Sequence, residues 1–150
     1  VDPKLPLDDL EAIDQLTRDL YAAISFRPGG APDLGKLESL FLLPGVLINN
    51  NGETPVVRDV AGFTETYRQQ IAAGAVYSFM EEELAERTEL FGAIAQRFST
   101  YQARFRGEPG EAVIQGINGI QFIRTGGVWR VASIIWNDET EGRPIPEEYL

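Results

Sequence analysis

Between residues 82 and 101 the chain spaces two glutamates, an arginine, a serine and a tyrosine so that one β-hairpin could gather them: Glu82, Glu86, Arg97, Ser99 and Tyr101. If the turn falls at Phe91 and Gly92, Glu86 stands opposite Arg97 and Glu82 opposite Tyr101, because residues opposite each other in an antiparallel pair share a face. A carboxylate, a guanidinium and a phenol that converge can orient a small molecule in a mostly apolar site. With Glu82 or Glu86 as base and Tyr101 as donor to a developing enolate, the same groups suit isomerase, cyclase or hydratase chemistry, given a carboxylate desolvated enough to hold a raised pKa. The plainer reading of Glu86 and Arg97 is a cross-strand ion pair at the sheet rim, which stabilises only slightly.

What the sequence lacks narrows the chemistry further. With no histidine, there is no usual neutral-pH base, no Ser-His or Cys-His nucleophile and no imidazole for a transition metal. With no cysteine, there is neither a disulfide nor a thiolate. Lys4 and Lys36, the only lysines, lack the apolar surroundings that Schiff-base chemistry needs. The glycine pairs 29–30 and 126–127 match neither the phosphate-loop nor the dinucleotide pattern and read as turns. The run "EEELAE" has no calcium-loop spacing, and successive residues on a strand face opposite ways, so no metal and no cofactor are expected. A net charge of −10 opposes a phosphate backbone, which excludes nucleic acid as a natural partner. No apolar run reaches the length of a membrane span.

The elements that would position these residues follow from periodicity. At 150 residues the chain suits one domain with a single core. After Asp8 or Asp9 as N-cap, Leu10, Ile13, Leu16, Leu20 and Ile24 form the buried stripe of a surface helix. "RPGGAP" ends it, Asp33 caps a shorter helix, and Pro44-Gly45 is expected to end that one. "VLINNNGETPVV" reads as two short strands, and Asp59 starts a third helix with Val60, Phe63, Tyr67 and Ile71 on one face and Gly74 as its stop. "SFMEEELAERTELFG" has helical propensity, yet the β-branched and aromatic runs after it favour a strand. The class is therefore α+β, with three N-terminal helices packed on the concave face of a strongly bent, mainly antiparallel sheet.

The segments "FGAIAQRFSTYQARF" and "GINGIQFIRTGGVWRVASIIW" look like the paired long strands of the nuclear transport factor 2-like superfamily, a cone-shaped α+β fold shared by ketosteroid isomerase, scytalone dehydratase, polyketide cyclases and uncharacterised bacterial proteins. The resemblance covers nearly the whole chain and implies one such domain over residues 1–150, with 1–7 an extension and 138–150 an acidic surface tail. It specifies the fold far more than the activity. In enzymatic relatives the cone mouth typically carries a His, Asp or Tyr acid/base set. Here Gln96 stands where the resemblance would place a histidine, which argues against a dehydratase-like mechanism.

Neither face of the strand 91–105 is cleanly apolar, which suggests that one face lines a cavity and the other meets a partner subunit. With Gly126-Gly127 as turn, Phe122 stands opposite Val131, Ile120 opposite Ser133 and Asn118 opposite Ile135, while closing the "RGEPGE" loop sets Ser99 opposite Asn118. The cavity candidates are then Tyr101, Ser99, Asn118, Arg97 and Ser133, joined by Glu86 and by Tyr67 from the third helix. The ligand they suit is a small apolar or amphipathic molecule. The other face, with Ile94, Phe98, Ile117, Ile123, Ile134 and Trp136, is expected to pair with a second copy as a homodimer, or to serve as a protein-interaction surface. The opening "VDPKLPLDD", without Met, fits an engineered boundary or a mature end left after signal-peptide removal, so a cytoplasmic and an exported location are both open.

Overall fold

The computed structural model describes residues 6–108 and 110–150, the side chains of residues 6 and 7 excepted. Helices α1 (Pro6–Ile24) and α2 (Leu34–Ser39) lead into β1 (Phe41–Asn49) and β2 (Val56–Arg58). Helix α3 (Val60–Ala72) follows, then four long strands, β3 (Ser78–Phe91), β4 (Ile94–Gly107), β5 (Gly110–Thr125) and β6 (Val128–Asp138), and a short 3-10 turn (Glu147–Tyr149). The sheet runs β2-β1-β6-β5-β4-β3. All its pairs are antiparallel except β1 with β6. This is the expected α+β architecture, with the helices on the concave face.

Local chemistry explains most boundaries. Asp33 accepts from Lys36 N at 3.0 Å and Asp59 from Gly62 N at 2.7 Å, which satisfies free N–H groups in the first turns of α2 and α3. Both glycines of the β5–β6 turn have positive φ, 57° and 77°, as a two-residue hairpin loop requires. The core lies between the inner face of the sheet and the helices, where Ile13 and Leu16 of α1, Leu37 of α2 and Val60 of α3 meet Phe41, Ile120, Phe122, Trp129 and Val131.

Four sequence expectations are corrected. Helix α1 starts at Pro6, so Asp9 is not its N-cap; Asp9 is buried and accepts from Trp129 Nε1 and Arg124 Nη1, each at 2.9 Å. Pro44-Gly45 does not end α2, which stops at Ser39, but interrupts the β1–β6 register inside β1. Gly45 is required there: its φ is 67°, and a Cβ would press on Val60 at 2.6 Å. The β3–β4 turn sits at Gly92-Ala93, one residue later than expected, so Phe91 pairs with Ile94 and Thr88, not Glu86, stands opposite Arg97.

The β5–β6 register departs from expectation as well. The register holds at Phe122 with Val131, then a bulge sets Gln121 opposite Ser133, Ile120 opposite Ile134 and Asn118 opposite Trp136. The extra residue, Ala132, reverses inside and outside along the rest of the strand. Ser133 therefore faces outward, with its hydroxyl directed to Gln121 Oε1 at 3.4 Å, while Ile134 and Trp136 turn inward. The expected inward Ser133 and outward Ile134 and Trp136 are exchanged.

Candidate functional site

The concave face and the helices line a half-open cavity of about 310 Å³. Its walls are largely apolar, with Leu20 and Ile24 from α1, Phe63 from α3, Phe79 from β3, and Ile134 and Trp136 from β6. Small residues keep it open: Ala103 sits on its floor beside Tyr101.

Polar groups enter at defined points. Tyr101 is almost fully buried, and its hydroxyl donates to Asp138 Oδ1 in a short hydrogen bond. Asp138 is fixed in turn by Asn51, whose Nδ2 donates to Asp138 Oδ2 at 3.0 Å and whose Oδ1 accepts from the Asp138 backbone N–H at 2.7 Å. Burial, then the bond to Asp138 and its negative charge, push the Tyr101 phenol far above its ordinary value, so it stays protonated as a donor. Tyr67 also lines the cavity, but its hydroxyl is committed to Ile24 O at 2.9 Å and its ring packs on Phe26, Phe63 and Phe79.

Besides Asp138, Glu81 brings a carboxylate to this space. A second bulge, between Glu83 and Ala85, brings Glu83 opposite Tyr101 and Glu81 opposite Ala103, so both share the inner face with Glu86. Glu81 lines the cavity, and no side-chain hydrogen bond or ion pair ties its carboxyl to any of the described residues. Burial, then the negative charge of Asp138, raise its pKa from 4.5 to about 8. Near neutral pH such a carboxyl keeps its proton and can donate a hydrogen bond, and once ionised it can take a proton from carbon. Glu82, offered by the sequence as a base opposite Tyr101, instead pairs with Gln102 and is exposed.

The other candidates lie beside the cavity, one layer deeper. Arg97 is 2% exposed and held under α1, with Nε on Thr88 Oγ1 at 2.7 Å, Nη1 on Thr17 Oγ1 at 3.2 Å, and carboxylates of Asp14, Glu83 and Glu86 around it. Glu86 is thus engaged with Arg97, at 3.4 Å from Nε, and does not line the cavity. Ser99 is fully buried between Glu83 and Tyr21: its Oγ donates to Glu83 Oε2 at 2.5 Å and lies 2.6 Å from the Tyr21 hydroxyl. Asn118 bridges the two layers, lining the cavity while its Nδ2 donates to Tyr21 at 3.0 Å. Of the seven residues singled out from the sequence, Tyr101, Asn118 and Tyr67 meet at the cavity, Ser99, Arg97 and Glu86 stand behind it, and Ser133 is on the opposite face.

Glu81, Asp138, Asn51 and Tyr21 escaped sequence reasoning. Glu81 was hidden by the β3 bulge, and Asp138 by its place at the head of an acidic tail. Tyr21 follows Ile13 and Thr17 at helical spacing, a signal that could have placed it on the buried side of α1.

The convex face is partly covered by the chain itself. Thr100 is buried there because its hydroxyl donates to Tyr149 O at 2.5 Å, and Tyr149 packs on Phe98 with centroids 5.6 Å apart. Ile145 is also buried. Ile145 and Tyr149 of the acidic tail thus lie against the sheet, while most of its residues stay exposed.

Three solved structures share this architecture over most of their length. A provisionally named dehydratase of the NTF2-like family from Streptomyces avermitilis superposes with TM-score 0.72 at 18% identity, covering 91% of this chain and 99% of that one. The nuclear transport factor 2-like fold is the fold of this chain. LinA superposes with TM-score 0.74 at 14% identity over 96% of this chain and 94% of its own. The hexachlorocyclohexane dehydrochlorinase LinA-type3 from Novosphingobium barchaimii gives TM-score 0.73 at 14% identity, with 93% and 95% covered. No family model matches the chain, and no curated protein matches it in sequence. At these identities the likeness carries the fold alone, and leaves the chemistry to the residues themselves.

Proposed function

We propose that the cone binds a small, largely apolar molecule and holds it against a polar cluster of Glu81, Tyr101, Asp138 and Asn118. The observation that carries this reading is the half-open space of about 310 Å³ with largely apolar walls, into which a few oriented polar groups project. Native mass spectrometry of gently purified protein, followed by denaturation, tests it: a retained mass released on unfolding is expected. No retained mass, together with no thermal stabilisation by a panel of bicyclic aromatics, would defeat it.

A second reading, proton-transfer catalysis, is favoured by Glu81 alone. In an elimination, its carboxylate would take a proton from the carbon next to the one bearing the leaving group. The C–H electron pair would become the double bond, and the leaving group would depart with its bonding pair. The names of the structural neighbours, a dehydratase and a dehydrochlorinase, support this class of reaction. The base is Glu81 rather than Glu82 or Glu86, since the first of those is outside and the second is paired with Arg97. Hydrogen–deuterium exchange at an acidic C–H of a bound ketone, rising with pH to a plateau above about 8 and absent in Glu81→Gln, is expected. Exchange that survives the substitution would remove Glu81 from the mechanism.

The assembly we propose is a homodimer through the convex sheet face, where Ile94 and Phe98 remain 59% and 50% exposed. A monomer by light scattering at micromolar concentration would refute it.

A further inference from the structure

The side chains behind the cavity form a hydrogen-bonded chain whose direction is fixed by proton count. Glu83 faces the Arg97 guanidinium, with Nη1 3.5 Å from both carboxylate oxygens, and Arg97 can only donate. Ser99 Oγ donates to Glu83 Oε2 at 2.5 Å. The single hydroxyl proton of Ser99 is spent on that bond, so the 2.6 Å contact to Tyr21 requires Tyr21 to be the donor. Tyr21 has one proton as well, so the 3.0 Å contact from Asn118 must be an amide N–H given to the Tyr21 oxygen. Burial pushes the Tyr21 phenol well above its ordinary value, which keeps that proton in place.

The consequence appears at Asn118. An amide whose nitrogen is turned to Tyr21 points its oxygen elsewhere, and no described residue donates to Asn118 Oδ1. Nor is that oxygen sealed from open space, since among the described residues no buried side-chain polar atom is left without a partner. Asn118 lines the apolar cavity. An acceptor is thus offered to whatever fills it.

We infer that the molecule held in the cone carries a hydroxyl or N–H donor, which it gives to Asn118 Oδ1, and that Glu83, Ser99 and Tyr21 are the positioning residues that impose this preference. The inference rests on the cavity being a small-molecule site. An apolar ligand without a donor would leave a desolvated carbonyl oxygen unmatched, which is where hydrogen-bonding sites discriminate most.

The test compares 2-naphthol, 2-methoxynaphthalene and naphthalene, which share one ring system, by calorimetry and thermal shift on wild type and on Tyr21→Phe. Wild type should bind the naphthol about tenfold or more tightly than its methyl ether, and Tyr21→Phe, which frees Asn118 to turn, should narrow the gap to about threefold. Equal binding of all three by wild type would overturn the inference while leaving the cavity reading intact. A preference undiminished in Tyr21→Phe would also overturn it. Binding of none would overturn the inference, and, together with no retained mass, would defeat the cavity reading as well. A ligand-free check covers a poorly folded variant: the Asn118 side-chain amide should show one slowly exchanging proton in wild-type NMR spectra. Two rapidly exchanging amide protons would show that Asn118 does not donate to Tyr21 and would overturn the inference.

Discussion

Replacing Glu81 by glutamine should stabilise the protein, and by an amount that grows with pH. In the unfolded chain this carboxyl ionises near 4.5, whereas in the cavity it keeps its proton to about 8. Below 4.5 both states are protonated, and Glu81 costs the fold nothing through ionisation. As pH rises, the unfolded state sheds a proton that the folded state keeps, so stability falls through this window and levels off once the folded carboxyl has also ionised. At about 1.4 kcal/mol per pH unit, the deficit at neutral pH is about 3 kcal/mol, and less where water enters the cavity. Above the folded value it approaches about 5 kcal/mol. Urea unfolding of wild type and Glu81→Gln at about pH 5, 7 and 9 measures the difference directly. The expected gap is small at the lowest pH and widest at the highest. A gap that does not change with pH would show that Glu81 titrates as it does in water, and would remove both its desolvation and its role as a base.

Three further outcomes follow from the packing. Arg97→Met strands Glu83, Glu86 and Asp14 around an uncharged side chain, and because those carboxylates are partly exposed the loss should be about 3 kcal/mol, the lower end for breaking a buried pair, read from chemical denaturation. Gly116→Ala would drive a methyl into the Tyr101 ring and hydroxyl and into Asn137 O; about 2 kcal/mol of stability should be lost, and naphthol binding should weaken as Tyr101 leaves Asp138. Tyr149→Ala removes the contact with Phe98 and the Arg87 guanidinium held 5.2 Å from the Tyr149 ring, so the thermal midpoint should fall by an amount worth about 1 kcal/mol, and an unchanged midpoint would show that the tail is undocked in solution.

The sequence carried the fold because its signals were local and mutually consistent. The caps at Asp33 and Asp59, the stripe on α1 and the Gly126-Gly127 turn each act over a few residues, and none competes with another. The Ser99–Asn118 pairing was legible for the same reason, since a single loop closure sets it. The cavity residues were less legible because their facing depends on the sum of all register shifts between them and the nearest turn. One bulge in β6 turned Ser133 out and Trp136 in, and one in β3, with a turn displaced by a residue, exchanged Glu82 for Glu81. Period-2 alternation has no memory of a bulge, so each one inverts every assignment beyond it.

Two ionisable side chains of the inner face, Arg97 and Glu81, differ in a way that separates scaffold from site. Arg97 carries a permanent charge into the protein, and the fold surrounds it with three carboxylates and two threonine hydroxyls. Its burial is matched by partners, as a structural charge must be if it is not to cost several kcal/mol. Glu81 lies on the same face of the same sheet, yet its nearest charged influence is Asp138, of the same sign. A carboxyl left there serves the fold worse than glutamine would, since glutamine fills similar space and loses nothing as pH rises. What it gains is an ionisable proton in a largely apolar space that Tyr101 and Asn118 also line. That imbalance, more than the shape of the cavity, makes the pH dependence of Glu81→Gln decisive: stability gained at the loss of proton exchange would locate the chemistry of this cone on one residue.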